Sequence, residues 1–251
     1  EVLSVGDVIY YIDAYISHKL KDSYPIHTKN LIIADIGAGS LDISVMRKGF
    51  TIMSLGLPIG TLRLKQLSGK LDGSQEETME ALKEHIETEM AYFKRMLPKI
   101  QIDDLILIDE NYTYLESILS DQKKESDFFQ FTQENVKTIF SQIADMNTEE
   151  IVRTYKMSRE MAETLNAYTI LLNMFISLTQ KNYIYILEAS LSGAILTNML
   201  FNLELSEKYN KQNQLISMAK FLCQKFDADL DHLQHVAHLS GTLFNHFKDL
   251  L

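Results

Sequence analysis

The stretch from Asn30 to Gly49, NLIIADIGAGSLDISVMRKG, restricts the fold more than any other part of the chain. Leu31-Ile32-Ile33-Ala34 is a short apolar run, the pattern of a buried strand. Asp35 follows where that strand should end, and Gly37, Ala38, Gly39 and Ser40 make a turn of small residues. Asp42-Ile43-Ser44-Val45 alternates polar and apolar, so the chain is predicted to return as a second strand. The tip of such a hairpin exposes backbone N–H groups between two carboxylates. Glycines let an anion approach closely, and successive N–H groups in a turn make an anion-binding nest. A carboxylate beside bound phosphate is repulsive unless a cation lies between them. Asp35 is therefore expected to ligate a divalent metal, magnesium, held partly by phosphate oxygens. On these residues alone, an ordinary glycine-tipped hairpin is the competing reading.

Asp35-Ile-Gly-Ala-Gly-Ser-Leu-Asp42 resembles the second phosphate-binding signature of the exopolyphosphatase / guanosine pentaphosphate phosphatase (Ppx/GppA) family, usually Asp-Ile-Gly-Gly-Gly-Ser-Thr-Glu. Leu57-Pro-Ile-Gly60-Thr-Leu-Arg63-Leu resembles the family's Leu-Pro-Leu-Gly-Ala-Val-Arg-Leu, which opens the next helix. The resemblance implies the actin-like ATPase fold, two ribonuclease-H-like halves around a cleft. The expected fold class is thus α/β, a ribonuclease-H-like mixed sheet flanked by helices and followed by a short all-α segment. The implied division is 1–29, a helix and linker from the first half; 30–201, the second half; and 202–251, the start of an all-α domain like that of His-Asp phosphohydrolases. The chain begins at Glu1 and stops at Leu251 inside an amphipathic pattern, so it is expected to be a piece of a longer protein.

The family's activity is release of terminal phosphate from polyphosphate or guanosine pentaphosphate. The resemblance assigns Asp35 to the metal (Mg2+) and Gly37, Ala38, Gly39 and Ser40 to the phosphate cradle. Asp42 takes the place of the family's Glu as a second acidic group. Glu1-Val-Leu-Ser4 followed by Asp7 is similar to Ser-Gly-x-Glu-Glu-Ala, which supplies a catalytic Glu, so Asp7 is the residue left for the general base. The alternative for Asp7 is a helix-dipole contact. Gly60 is expected to allow close packing under the hairpin.

The family's acidic pair is reduced here to Asp7 followed by Val8, and two further segments depart from the family pattern. After the strand Asp104–Ile108 the family has a Gly-Gly-Thr turn, whereas this chain has Asp109-Glu110-Asn111. Between the last strand and its helix the family has Gly-Leu-Arg-Glu-Gly, replaced here by Ser190-Leu-Ser-Gly193-Ala194. These losses keep open a second function class, a non-catalytic relative that binds phosphate or nucleotide or serves as an interaction module. A sugar-kinase half fits less well, because the Gly60–Arg63 segment and the helix around His232 follow the phosphatase order.

A net charge of -10 and a pI near 5.2 argue against binding duplex nucleic acid or an anionic membrane. Cys223 is the only cysteine, which excludes an intrachain disulfide and fits a cytoplasmic location. A helix introduced by Thr132 is predicted over Phe131–Ala144, and capped helices after Ser74 and Asn147. His232, His235 and His238 recur at helical spacing. The resemblance places them in a domain that is structural, or a dimer and substrate-channel element, so a homodimer is among the expectations.

Overall fold

The structure, a computed structural model, describes residues 3, 5–70, 75–109, 112–119, 128–202 and 211–248. The Ser74 cap and Glu110 lie outside them. The predicted hairpin forms as β1 (Asn30–Ile36) and β2 (Leu41–Arg47), with β3 (Phe50–Leu57) antiparallel beside β2. The β2–β3 turn, Lys48-Gly49, has φ of 51° and 87°, the doubly left-handed turn that matches strand twist. Glycine suits position 49, where φ is left-handed and a Cβ would lie 2.3 Å from the His27 side chain at Nδ1.

β4 (Asp104–Ile108), β5 (Phe128–Thr132) and β6 (Tyr183–Leu187) complete the sheet. β4 runs parallel to β1, and β6 parallel to β4. β5 closes the far edge antiparallel to β6, giving the order β3-β2-β1-β4-β6-β5. The helix expected over Phe131–Ala144 is corrected here. The segment begins as a strand through Thr132, because Phe129 and Phe131 alternate inward around exposed Gln130. Helix α5 starts only at Gln133, after a reciprocal cap between Thr132 and Asn135.

Helices cover both faces. α1 (Val5–Lys19) and α8 (Leu191–Phe201) lie on one face, over Leu31, Ile33, Ile106 and Ile108. α2 (Thr61–Ser68), α3 (Gln75–Met96), α4 (Tyr112–Leu119), α5 (Gln133–Ile143), α6 (Thr148–Tyr155) and α7 (Arg159–Leu178) lie on the other, over Ile32, Ala34, Leu105 and Leu107. The two sets alternate along β1 and β4, as the period of a strand requires. Asn147 and Glu150 cap α6 reciprocally, as predicted. α9 (Lys211–Lys225) packs on β3, and α10 (Leu230–Phe247), capped by Asp229, is exposed along its length. No described helix is long and apolar enough to cross a membrane.

One ionic anchor fixes the sheet end opposite the glycine turn. Asp104 is 1% exposed and accepts hydrogen bonds from Tyr24, Lys29 (2.6 Å) and Lys181. Burial works against its charge, but the bonds from Lys181, Lys29 and Tyr24 outweigh it and hold the carboxyl below its ordinary range.

Candidate active site

The glycine turn owes its shape to α2. Gly37 N–H donates to the Ser40 carbonyl (2.9 Å), closing the turn. The Gly37 carbonyl accepts from Thr61 N–H (3.1 Å), and the Ala38 carbonyl from Leu62 and Arg63 N–H (3.0 and 3.2 Å). The first amides of α2 have no partner within their own helix, so the loop carbonyls cap it. Gly60, with no Cβ, permits this approach: a Cβ would lie 2.4 Å from the Ala38 carbonyl carbon. A trans peptide points its N–H opposite to its C=O. With the Gly37 and Ala38 carbonyls held toward α2, the N–H groups of Ala38 and Gly39 face away from it. Among the described residues, the amides of Ala38, Gly39 and Ser40 have no backbone acceptor in the turn. Ala38 is not left-handed, so alanine replaces glycine there without backbone strain. The space at Gly39 is open for 4 Å around a would-be Cβ.

Asp35 and Asp42 are direct cross-strand partners at the end of the hairpin. Both line a cavity of ≈ 10 Å³, about the size of one water, which α1 roofs with Val8, Ile9 and Ile12. Asp42 is half-buried, and its Oδ1 is buried with no hydrogen-bond partner among the described residues. Burial raises its pKa, more than the Ser40 hydroxyl lowers it. This donor set suits a hard cation. Among the described residues no group of three or more His, Cys, Asp or Glu side chains is placed to hold a metal alone. Asp35 would hold a magnesium ion beside Asp42, with phosphate oxygens and water completing its shell, its usual habit.

Asp7 sits in the first turn of α1, one residue before the roof, and does not line the cavity. Asp13, on the same helix, does line it, and sequence reasoning missed it. Asp13 is 4% exposed and accepts from Ser44 Oγ (2.8 Å) and Thr51 Oγ1 (2.5 Å). Burial pushes its pKa up to about 6, against the lowering effect of the two hydroxyls. The available signal was its position, four residues after Ile9 and three before Ile16 on an otherwise apolar stripe. A larger open hollow of about 630 Å³ lies between α3, α5 and α7, lined by Met79, Lys83, Glu87, Phe140 and Asn173 among others. It has no glycine turn, and its carboxylates, Glu80 and Glu87, are exposed on one helix beside Lys83 and Lys94, so size does not make it the site.

The model of the Ppx/GppA phosphatase family matches residues 15–217. The chain belongs to this family. Among solved structures, it is similar to the Ppx/GppA family member of Aquifex aeolicus, with a TM-score of 0.67 and 17% identity over 82% of this chain and 66% of that one. It is also similar to an exopolyphosphatase from Cytophaga hutchinsonii, with a TM-score of 0.65 and 15% identity over 78% of this chain and 64% of that one. At such identities the likeness establishes the fold, and the chain spans just under two thirds of either neighbour. No curated protein matches it by sequence.

Against the Ppx/GppA pattern, the departure at Asp109 has a structural counterpart. The Asp109 carboxylate accepts a hydrogen bond from the Tyr168 hydroxyl of α7. Tyr168 is 2% exposed, and burial together with the Asp109 charge keeps its hydroxyl protonated well past the ordinary range. Asp109 is thus tied to the α7 side of the sheet, whereas Asp35 and Asp42 line a cavity on the α1 side. The Ser190 segment is a helix cap, with Gly193 N–H donating to Ser190 Oγ at 3.0 Å. Arg63 is exposed on α2.

Proposed function

We propose that the chain is the second half of an exopolyphosphatase-like phosphohydrolase, releasing terminal phosphate from polyphosphate or guanosine pentaphosphate. The observation that carries this reading is the glycine turn: α2 holds its carbonyls, so its amides face outward beside Asp35 and Asp42. Family membership supplies the reaction class.

The Ala38, Gly39 and Ser40 amides bind the oxygens of the terminal phosphate and stabilise the negative charge that grows on them. Magnesium, when bound at Asp35, supplies charge neutralisation and orients the phosphate. Asp42 orients the attacking water from the opposite strand. Asp7, in the first turn of α1 and outside the cavity lining, is the carboxylate left to take up the water proton. The water oxygen bonds to the terminal phosphorus as the bond to the bridging oxygen breaks. The products are inorganic phosphate and a chain one phosphate shorter. Gly37 contributes space and turn closure rather than an amide.

One observation favours the second reading, a relative that binds phosphate or nucleotide without turnover. Asp109 stands at the end of β4, where the family has a glycine turn, and Tyr168 holds it there. Phosphate release from polyphosphate and from guanosine pentaphosphate, with and without magnesium, separates the two readings. The full natural protein is used beside its Asp35→Asn variant. Release that the variant loses supports the enzyme. Tight phosphate binding with no release supports the binder.

A further inference from the structure

Asp13 lies before the residues that the family model matches. Its surroundings make it expensive. It is enclosed on the α1 face beside Ile9, Ile12 and Ile16, where an apolar side chain of similar size satisfies stability at least as well.

Its two partners straddle an irregularity in the sheet. Along β2 and β3, Ser44 pairs with Ser54 and Val45 with Met53, but Met46 pairs with Thr51. The register shifts between Val45 and Met46, and β3 carries the extra residue, Ile52. The consequence shows in burial: the consecutive residues Ile52 and Met53 both enter the core on the α7 side. Ser44 lies on one side of this bulge and Thr51 on the other, and the two oxygens of Asp13 take one hydroxyl from each.

Register matters here because of where Asp42 sits. Asp42 and Ser44 share a face of β2, opposite Asp35 and Ile33 of β1. A slip of one residue would turn Asp42 toward the apolar core of the other face. A bulge is where pairing is least constrained, and bulges re-aim nearby side chains.

We infer that Asp13 is a positioning residue of the candidate site, stapling the bulge between β2 and β3 from α1 so that Asp42 stays opposite Asp35 beside the phosphate cradle. The functional part of this inference rests on the phosphohydrolase reading; the structural part does not.

The test uses the full natural protein and three variants. Asp13→Asn keeps an oxygen for one hydroxyl and offers N–H to the other. Asp13→Leu removes the staple and leaves both hydroxyls in place. The triple variant Asp13→Leu/Ser44→Ala/Thr51→Val removes the staple and both hydroxyls. Three quantities are measured: the melting temperature, amide hydrogen exchange at 42–46 and 51–55 relative to the β1–β4 ladder, and kcat and KM for phosphate release.

Asn is expected to stay within about threefold of wild type in rate. The triple variant is expected to melt no lower than wild type. Its amides around the bulge exchange about tenfold faster than those of the β1–β4 ladder, and its kcat falls about tenfold at unchanged KM. A triple variant with wild-type exchange and wild-type kcat overturns the inference and leaves Asp13 a stability element. If the triple variant does not fold, Ser44→Ala and Thr51→Val decide singly: exchange confined to the bulge supports the staple, and uniform exchange overturns it. If the wild-type protein releases no phosphate, the phosphohydrolase reading fails, and the exchange pattern alone decides for or against Asp13.

Discussion

Gly60 stands so close behind Ala38 that the first turn of one helix and the tip of the glycine turn behave as one unit. A Cβ on Gly60 would lie 2.4 Å from the carbonyl carbon and oxygen of Ala38 and 2.5 Å from Gly39 N. These are backbone atoms, so no side chain can swing aside. Gly60→Ala is expected to push the turn off α2 and to cost about 2 kcal/mol, the scale of overpacking. Thermal unfolding measures that loss. Phosphate release should fall with it.

Gly39 gives the opposite pairing of effects. Nothing lies within 4 Å of a Cβ built there, and its φ is not left-handed. Gly39→Ala is therefore expected to change stability by less than about 0.5 kcal/mol, as substitutions away from packing do. The new methyl would occupy space on the turn that an anion needs. Phosphate affinity, followed by calorimetry, is expected to drop at an unchanged melting temperature. A Gly39→Ala protein that binds phosphate normally would show that the anion sits elsewhere.

Asp13 makes a signed prediction about pH. Its pKa rises from 3.8 to about 6 in the folded protein, with burial as the largest cause. Between those values the folded state holds a proton that the unfolded state has released. Stability from this group is therefore present at low pH and lost as pH rises through about 6. From pH 7 to pH 4 the wild type should gain about 2 kcal/mol relative to Asp13→Asn. Urea unfolding of both proteins at the two pH values measures the difference. Asp104 acts in the opposite direction in both proteins, since its lowered pKa gives stability that is lost on acidification, and so it cancels in the comparison.

The hairpin was legible in the sequence because its signals are local. Two-residue alternation at Asp42–Val45, an apolar run at Leu31–Ala34 and small residues between them need no distant partner. Gly60 was legible for a related reason, since it stands only three residues beyond the strand end at Leu57. What was not legible depends on contacts far along the chain. Asp13 meets Ser44 and Thr51 across 31 and 38 residues, and Asp109 meets Tyr168 across 59. Nothing within a helical window says that an Asp on an apolar stripe will find two hydroxyls. β5 was missed for a third reason: Phe128–Thr132 is five residues long and runs directly into the cap of α5, so the helix signal took its last two residues and left too few for a strand pattern.

Tyr168 gives a test of the Asp109 tie. Tyr168→Phe removes the hydroxyl that α7 donates to Asp109 at the end of β4, without changing ring packing. Loss of a hydrogen bond to a charged acceptor is expected to cost about 1.5–3 kcal/mol. The loss should appear as a lower urea midpoint at an unchanged slope. If Asp109 opposes anion entry, Asp109→Asn is expected to strengthen polyphosphate binding at low salt more than at high salt, because screening already weakens the repulsion at high salt. Binding that is equally unaffected at both salts would place the polyphosphate away from the end of β4.

Asp42 carries a cost in the folded state that points to function. Its Oδ1 is buried with no hydrogen-bond partner among the described residues, and burial raises its pKa above the ordinary carboxylate value. A raised pKa means that the ionised side chain opposes folding at neutral pH, and that acidification relieves the opposition. Asp42→Asn removes the charge and should make the protein more stable at pH 7, with less gain on acidification than the wild type shows. If Asp42 orients the attacking water, the same variant should lose phosphate release by about a hundredfold. Higher stability with lost turnover is the signature of a residue kept for chemistry at the expense of the fold. Lower stability in Asp42→Asn would instead mean that the carboxylate is held by partners of its own, and would remove the argument for a cation at the Asp35–Asp42 pair.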